Sequence, residues 1–286
     1  MITPHHRHAI ISAYPELEGA SFTVLDAGWD SLAIDADGRF IFKFPRDGGG
    51  EYGLRREAAS LTVLHPRLTM AVPNPLIIDG PPLFSAHEKL PGDHLLAEDY
   101  ARLSDDARDG LALDMARFHA EMHALSDLSI ATVGDAPIEP WQSTVLMREA
   151  GVTTLPSGLR DKAMTEIAAY EALAPDPRGT IFGYFDAHGW NMAFHHERGA
   201  LNGIYDFADS GVGPLHQEFI YANFISRDHS ARVIAAYEQL TGRDIDRRRV
   251  EILTAMLHLS DLAEYAEQPD YLDKVLEHAV PWFEGA

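Results

Sequence analysis

Two short acidic segments constrain this chain more than any other feature. The first, Tyr184-Phe185-Asp186-Ala187-His188-Gly189-Trp190-Asn191, leaves strand-like sequence, sets down an aspartate, a histidine and an amide, and returns to apolar residues. The second, Tyr205-Asp206-Phe207-Ala208-Asp209-Ser210-Gly211-Val212-Gly213, begins fourteen residues after Asn191. Asp, Gly and Asn are turn formers, so each segment alone also reads as a plain turn. Between them, "MAFH" (192–195) and "LNGIYD" (201–206) flank the turn "HERG" (196–199), a hairpin pattern. A hairpin returns the chain on itself, and that is what two segments sharing one site require.

The spacing carries a chemistry. Asp186 and Asn191 stand at Asp-x-x-x-x-Asn spacing, and Asp206-Phe207-Ala208 differs by one residue from Asp-Phe-Gly. Both patterns belong to phosphoryl-transfer sites. That reaction needs little covalent help from protein; it needs an aligned hydroxyl, a neutralised polyphosphate and a held metal. A carboxylate beside the acceptor hydroxyl contributes roughly 10²–10⁴ in rate, which suits Asp186 as base. Mg²⁺ prefers hard oxygen donors, which Asp206 and Asn191 supply. His188 has no second histidine or carboxylate at zinc-site spacing and reads as orienting the loop. Lys43, in the strand-like "FIFKFP", has Glu57 fourteen residues on, the pairing that grips the α- and β-phosphates of a nucleotide. The other reading is a strand lysine with its head in water and a solvated helix glutamate. The segment "EKLPG" (88–92) places the backbone of Glu88 and Leu90 where a purine could be read.

Around these residues the chain divides. Residues 1–90 read as a β-rich lobe: "SFTVLD" (21–26), "SLAID" (31–35) and "RFIFKF" (39–44) form a meander turning at "DADG". "EYGLRREAASLTVL" (51–64) is the one main helix, and "GGG" (48–50) before it reads as a loop. Short strands follow at 76–78 and 83–88. Residues 91–286 read as a larger, mainly helical lobe. Ser104 caps a helix whose stripe is Leu111, Met115, Phe118, Met122 and Leu125. Helical patterns recur at 159–173 and through most of 217–284, with strand-like pieces at 180–185, 192–195 and 201–206. The expected fold is α+β and two-lobed, with the ligand site in the cleft at the connector near 88–92.

The motifs resemble those of the aminoglycoside phosphotransferase family, within the choline/aminoglycoside kinase superfamily, whose fold is protein-kinase-like. Its catalytic loop commonly reads His-Gly-Asp-x-His-x-x-Asn; here Asp186, His188 and Asn191 keep register, while Tyr184 and Phe185 replace the His-Gly pair. Its second acidic segment commonly reads Ile-Asp-Phe-Gly-Asp-Ala-Gly-x-Gly, and 205–213 follows it closely. "AGWDS" (27–31), "FKFPR" (42–46), "LRRE" (54–57), "EKLPG" and "MHAL" (122–125) are similar to further family segments. The usual glycine-rich phosphate loop is reduced to Gly28. The resemblance spans about 20–240, with the final helices matching in kind. It implies Asp186 and His188 as catalytic-loop residues, Lys43, Glu57, Glu88 and Leu90 as nucleotide contacts, and Asn191 and Asp206 as Mg²⁺ ligands. It also implies that Glu218, in "GPLHQEF", is a structural buried acid.

The resemblance thus implies a kinase moving the γ-phosphoryl of ATP or GTP to a hydroxyl of an aminoglycoside-like or other polyol acceptor. Two alternatives stay open: a metabolite kinase acting on a choline-, ethanolamine- or homoserine-type acceptor, and a nucleotide-binding module of little activity. A protein kinase is disfavoured, because no Ala-Pro-Glu follows Asp206. The 44 acidic against 23 basic residues give a net charge of −21, which disfavours nucleic acid and anionic membranes and suits a cationic small molecule. The row Asp261, Glu264, Glu267, Asp270 reads as a wet helix face or an ammonium-binding set. Trp29, Trp190 and Trp282 read as packing residues. With no cysteine, no long apolar run and no secretion-signal pattern, the expected location is the cytoplasm.

Overall fold

The structure, a computed structural model, describes residues 2–25, 31–46, 48–125 and 137–285. Strands β1 (Phe22–Leu25), β2 (Ser31–Ala36), β3 (Phe40–Pro45), β4 (Leu76–Ile78) and β5 (Phe84–Glu88) form one antiparallel sheet in the order β1-β2-β3-β5-β4. Asp37 and Gly38, both at positive φ, make the β2–β3 turn that Asp-Gly chemistry favours. The period of two divides the sheet into faces. Phe42, Phe44, Phe84 and Ala86 point into a core shared with Ile10 and Leu17. Their neighbours Ile41, Lys43, Ser85 and His87 occupy the opposite face, with Lys43 registered against Ser85.

Helix α1 (Pro4–Ala13), which covers the first face, was not expected. Its signal was present: Thr3 accepts from the His6 N–H and Pro4 opens the helix, an ordinary start. Helix α2 (Gly48–Leu64) packs chiefly against the central strand β3 and includes the glycine run read as a loop. Those glycines lie in the first turn, where N–H groups need no intrahelical partner. A stretch of three low-propensity residues is therefore held by the packing of the turns after it.

The larger body is helical. Helix α3 (Ala97–Arg102), also unexpected, precedes α4 (Asp105–His123), which Ser104 caps. Leu111, Met115, Phe118 and Met122 are buried as the stripe requires. After a helical stretch at 144–154 come α5 (Arg160–Glu171), α6 (Arg227–Thr241), α7 (Arg247–Glu264) and α8 (Pro269–Glu284). Helices α4 and α6 pack most extensively, around Phe118, Phe219, Ile234 and Tyr237. Two small ribbons sit between helices and sheet: β6 (Thr180–Gly183) with β9 (Gly211–Pro214), and β7 (Met192–His195) with β8 (Ala200–Ile204). The second ribbon is the expected hairpin; β9 was missed. The architecture is mixed α/β, with a small antiparallel sheet joined to a helical lobe. Gly28 and Trp29 lie outside the described residues.

Candidate active site

The two ribbons bring the acidic segments together. Asp186 follows β6, and Asn191 closes a short turn (Gly189–Asn191) that enters β7. Gly189 is needed there for space: a Cβ would stand 1.8 Å from the Leu95 carbonyl oxygen. Asp206 follows β8, and the Tyr205 N–H donates to the Asn191 carbonyl at 3.0 Å. The chain thus folds both segments onto one edge, as the hairpin pattern required.

Asp186 is held from two sides. Its Oδ2 accepts from Asn191 Nδ2 at 2.5 Å, and its Oδ1 lies 3.0 Å from His188 Nε2. Burial pulls the His188 pKa down, but the Asp186 carboxylate outweighs it and the net shift is upward. His188 and Asn191 thus hold the Asp186 carboxylate between them. Asn191 spends its amide nitrogen on Asp186 and keeps its amide oxygen for another partner.

Lys43 faces the same place from the sheet. Its Nζ donates to Glu57 Oε1 at 2.9 Å, Glu57 Oε2 at 3.1 Å and Asp206 Oδ1 at 3.1 Å. Burial disfavours the ammonium, yet Asp206 and Glu57 together raise its pKa, so it stays charged. Lys43 in turn holds the Asp206 carboxyl below its ordinary range, against the opposing effect of burial. Glu57 is closed off, with 7% of its side chain exposed, whereas Asp206 keeps 43% and so remains open to a ligand. The Phe207 N–H also donates to Glu57 Oε1 at 3.1 Å, and Arg56 donates to the Ser210 carbonyl at 2.6 Å. Sequence reasoning missed Arg56, whose only signal was its place beside Glu57.

The donor set at the open edge fits Mg²⁺. Asp206 has a carboxylate oxygen beyond the one bonded to Lys43, and Asn191 has its amide oxygen; both are hard donors. Asp206 itself sits at φ 65°, in the left-handed region where a non-glycine residue costs on the order of 1–3 kcal/mol. Such strain is retained where a side chain must be aimed.

The departures at Tyr184 and Phe185 have a structural account. Tyr184 is fully buried, and its hydroxyl donates to the Tyr205 carbonyl at 2.5 Å, tying the first segment to the second. Phe185 takes φ 55°, where glycine would be unstrained. Its ring fills a slot between two glycines: a Cβ on Gly183 or Gly213 would stand 2.8 or 2.7 Å from it. Glu218, fully buried, accepts from the Tyr184 N–H at 3.1 Å and the Phe185 N–H at 3.3 Å, so it anchors the loop from below.

At the connector, the Glu88 carbonyl accepts from or faces His87 Nδ1 at 2.9 Å, and Leu90 packs on the backbone of Gly203. The Glu88 side chain is exposed. The acidic row of α7 and its sequel divides. Glu264, Glu267 and Asp270 are exposed, as a wet face predicts. Asp261 is not: burial first, then Glu264 and Asp186, push its pKa up to about 7. Trp282 is buried and stacks under Arg227, whose guanidinium lies 3.6 Å from the ring centre. Trp190 packs edge-on against His188, Phe224 and His278.

Comparison with known proteins agrees with this fold. A family model described as the phosphotransferase enzyme family matches residues 21–253. The GDP complex of wild-type aminoglycoside 2′-phosphotransferase-IIIa superposes with a TM-score of 0.82 at 22% identity, covering 99% of each chain. The streptomycin-ATP ternary complex of APH(2″)-IIa gives 0.67 at 18% identity, again over 99% of each chain. A macrolide 2′-phosphotransferase type I gives 0.68 at 15% identity, over 97% of this chain and 98% of that one. The final helices, expected to match only in kind, lie inside these superpositions.

Proposed function

The chain belongs to the phosphotransferase enzyme family, and from that premise we propose that it moves the γ-phosphoryl of ATP or GTP to a hydroxyl of an amino-sugar acceptor. The observation that carries the proposal is the meeting of Lys43, Glu57, Asp206, Asn191 and Asp186 at one cleft edge. In this reading Asp186 orients the acceptor hydroxyl and takes its proton. His188 and Asn191 keep its two oxygens aimed, so little reorganisation is needed when the hydroxyl arrives. Lys43, held as an ammonium by Glu57, supports the α- and β-phosphates. The purine lies against the backbone of Glu88 and Leu90, and the division between lobes falls after Leu90. Asn191 and Asp206 would hold Mg²⁺, which when bound neutralises charge on the phosphates.

Three features support an amino-sugar acceptor. Asp261 is half-buried and close enough to Asp186 to feel its charge, so an ammonium beside it would find a carboxylate that burial has made expensive to leave unpaired. The net charge of −21 attracts a cation. The superposed complexes contain streptomycin in one case and GDP with kanamycin in another. The test is release of ADP or GDP with a panel of aminoglycosides, macrolides, choline, ethanolamine and homoserine. Turnover with the amino sugars, lost in Asp186→Asn, is expected. Turnover confined to choline, ethanolamine or homoserine would overturn the acceptor assignment.

A further inference from the structure

Beneath the catalytic loop lie three side chains that phosphoryl transfer does not use. His119 and His123 stand one turn apart on α4, their rings stacked at 5.9 Å. Glu218 faces both, with Oε1 2.9 Å from His119 Nδ1 and Oε2 4.0 Å from His123 Nε2. No side chain of the three is more than 1% exposed. His123 Nε2 has no hydrogen-bond partner, and the carboxylate near His119 Nδ1 is poorly aligned with it. An unpaired buried ring nitrogen such as His123 Nε2 is costly, and the surroundings, Phe118, Phe219 and Tyr184, are aromatic. The three donor atoms lie within 4.8 Å of one another.

We propose that His119, His123 and Glu218 bind a Zn²⁺-class transition-metal ion. Two imidazoles and a carboxylate suit zinc, cobalt or nickel and not Mg²⁺, which takes oxygen donors. The outer contacts are those that orient metal ligands. His123 Nδ1 lies 2.8 Å from the Tyr237 hydroxyl; with its proton there, Nε2 turns a lone pair toward Glu218. Glu218 is fixed by the Tyr184 and Phe185 N–H groups. The ion enters during folding, because the closed core gives it no path afterwards, and its binding energy becomes folding energy. It shares Glu218 with the backbone just ahead of Asp186, so it stiffens the catalytic loop without touching the reacting atoms.

The test needs neither nucleotide nor acceptor, so its failure leaves the phosphotransfer reading untouched. The protein is refolded from urea with ZnSO₄ or with EDTA, desalted, and analysed for bound metal. Wild type is expected to retain one more zinc per chain than His123→Leu and to melt several degrees higher with zinc than with EDTA. Surface histidines such as His5, His6, His195 and His196 are common to both proteins, so the difference reports the core alone. Equal zinc contents would overturn the proposal. If His123→Leu does not fold, wild type refolded with Co²⁺ decides: an intense visible band of a four-coordinate ion supports the site, and the pale octahedral spectrum refutes it.

Discussion

Mild acid is expected to destabilise this protein, and the slope follows from its buried histidines. His123, His229 and His258 are sealed in the core, and burial pushes each pKa down to about 3. In the unfolded chain a histidine titrates near about 6.5. A depressed folded pKa leaves stability whole above about pH 6.5 and drains it as pH falls toward 3, because only the unfolded chain takes up the proton. Three such groups give about 4 kcal/mol per pH unit at about 1.36 kcal/mol each. Asp261 works against them. Its pKa is raised to about 7, so between roughly pH 4 and 7 the fold keeps a proton that the unfolded chain has released. The net is two protons, or about 2.7 kcal/mol per pH unit.

Burial also lowers His87, His94 and His278, which adds to the uptake, and raises Asp114, which subtracts from it. The upward shift of His188 acts above about pH 6.5, outside this window. From about pH 6 to 4.5 the loss is about 4 kcal/mol, against a typical total stability of about 5–15 kcal/mol. The assay is urea unfolding followed by tryptophan fluorescence, with EDTA present so that His123 stays free of metal. His229→Leu should flatten the slope by one proton, and Asp261→Asn should steepen it by one. Net uptake below one proton across that window, or no change in Asp261→Asn, would refute the reasoning.

Other outcomes are expected at the site itself. Asp186→Asn should lower kcat by at least about 10² while the nucleotide dissociation constant, measured by calorimetry, moves little. Tyr184→Phe removes the bond to the Tyr205 carbonyl and should cost about 1 kcal/mol in denaturant unfolding, with a few-fold loss of kcat. Gly213→Ala places a Cβ 2.7 Å from both Ile138 and the Phe185 ring, so a loss of about 1–3 kcal/mol is expected. Phe185→Leu, by shortening that ring, should restore part of it, and additive losses would show the slot reading wrong.

The sheet and the β7–β8 hairpin were legible because their signals are local: alternation, Asp-Gly, and apolar stripes at helical spacing. That Lys43 would meet Glu57 and Asp206, and Asp186 would meet Asn191, was legible because their spacing is a chemical pattern. What escaped was set by distant partners. Phe185 looked too large for its position until Gly183 and Gly213, thirty residues apart in sequence, proved to frame its ring. Asp261 looked like its solvated neighbours, since burial on one side of a helix depends on what packs there. The strand β9 had only "GVGP" to announce it, and glycine carries no alternation. Helix α1 was overlooked although Thr3-Pro4 marked its start.

Two bonds from α2 reach the second acidic segment: Glu57 takes the Phe207 N–H, and Arg56 reaches the Ser210 carbonyl. They rivet a helix of the sheet-bearing half to a loop of the helical one. Any displacement of that helix would therefore drag Phe207 and Ser210 along with it.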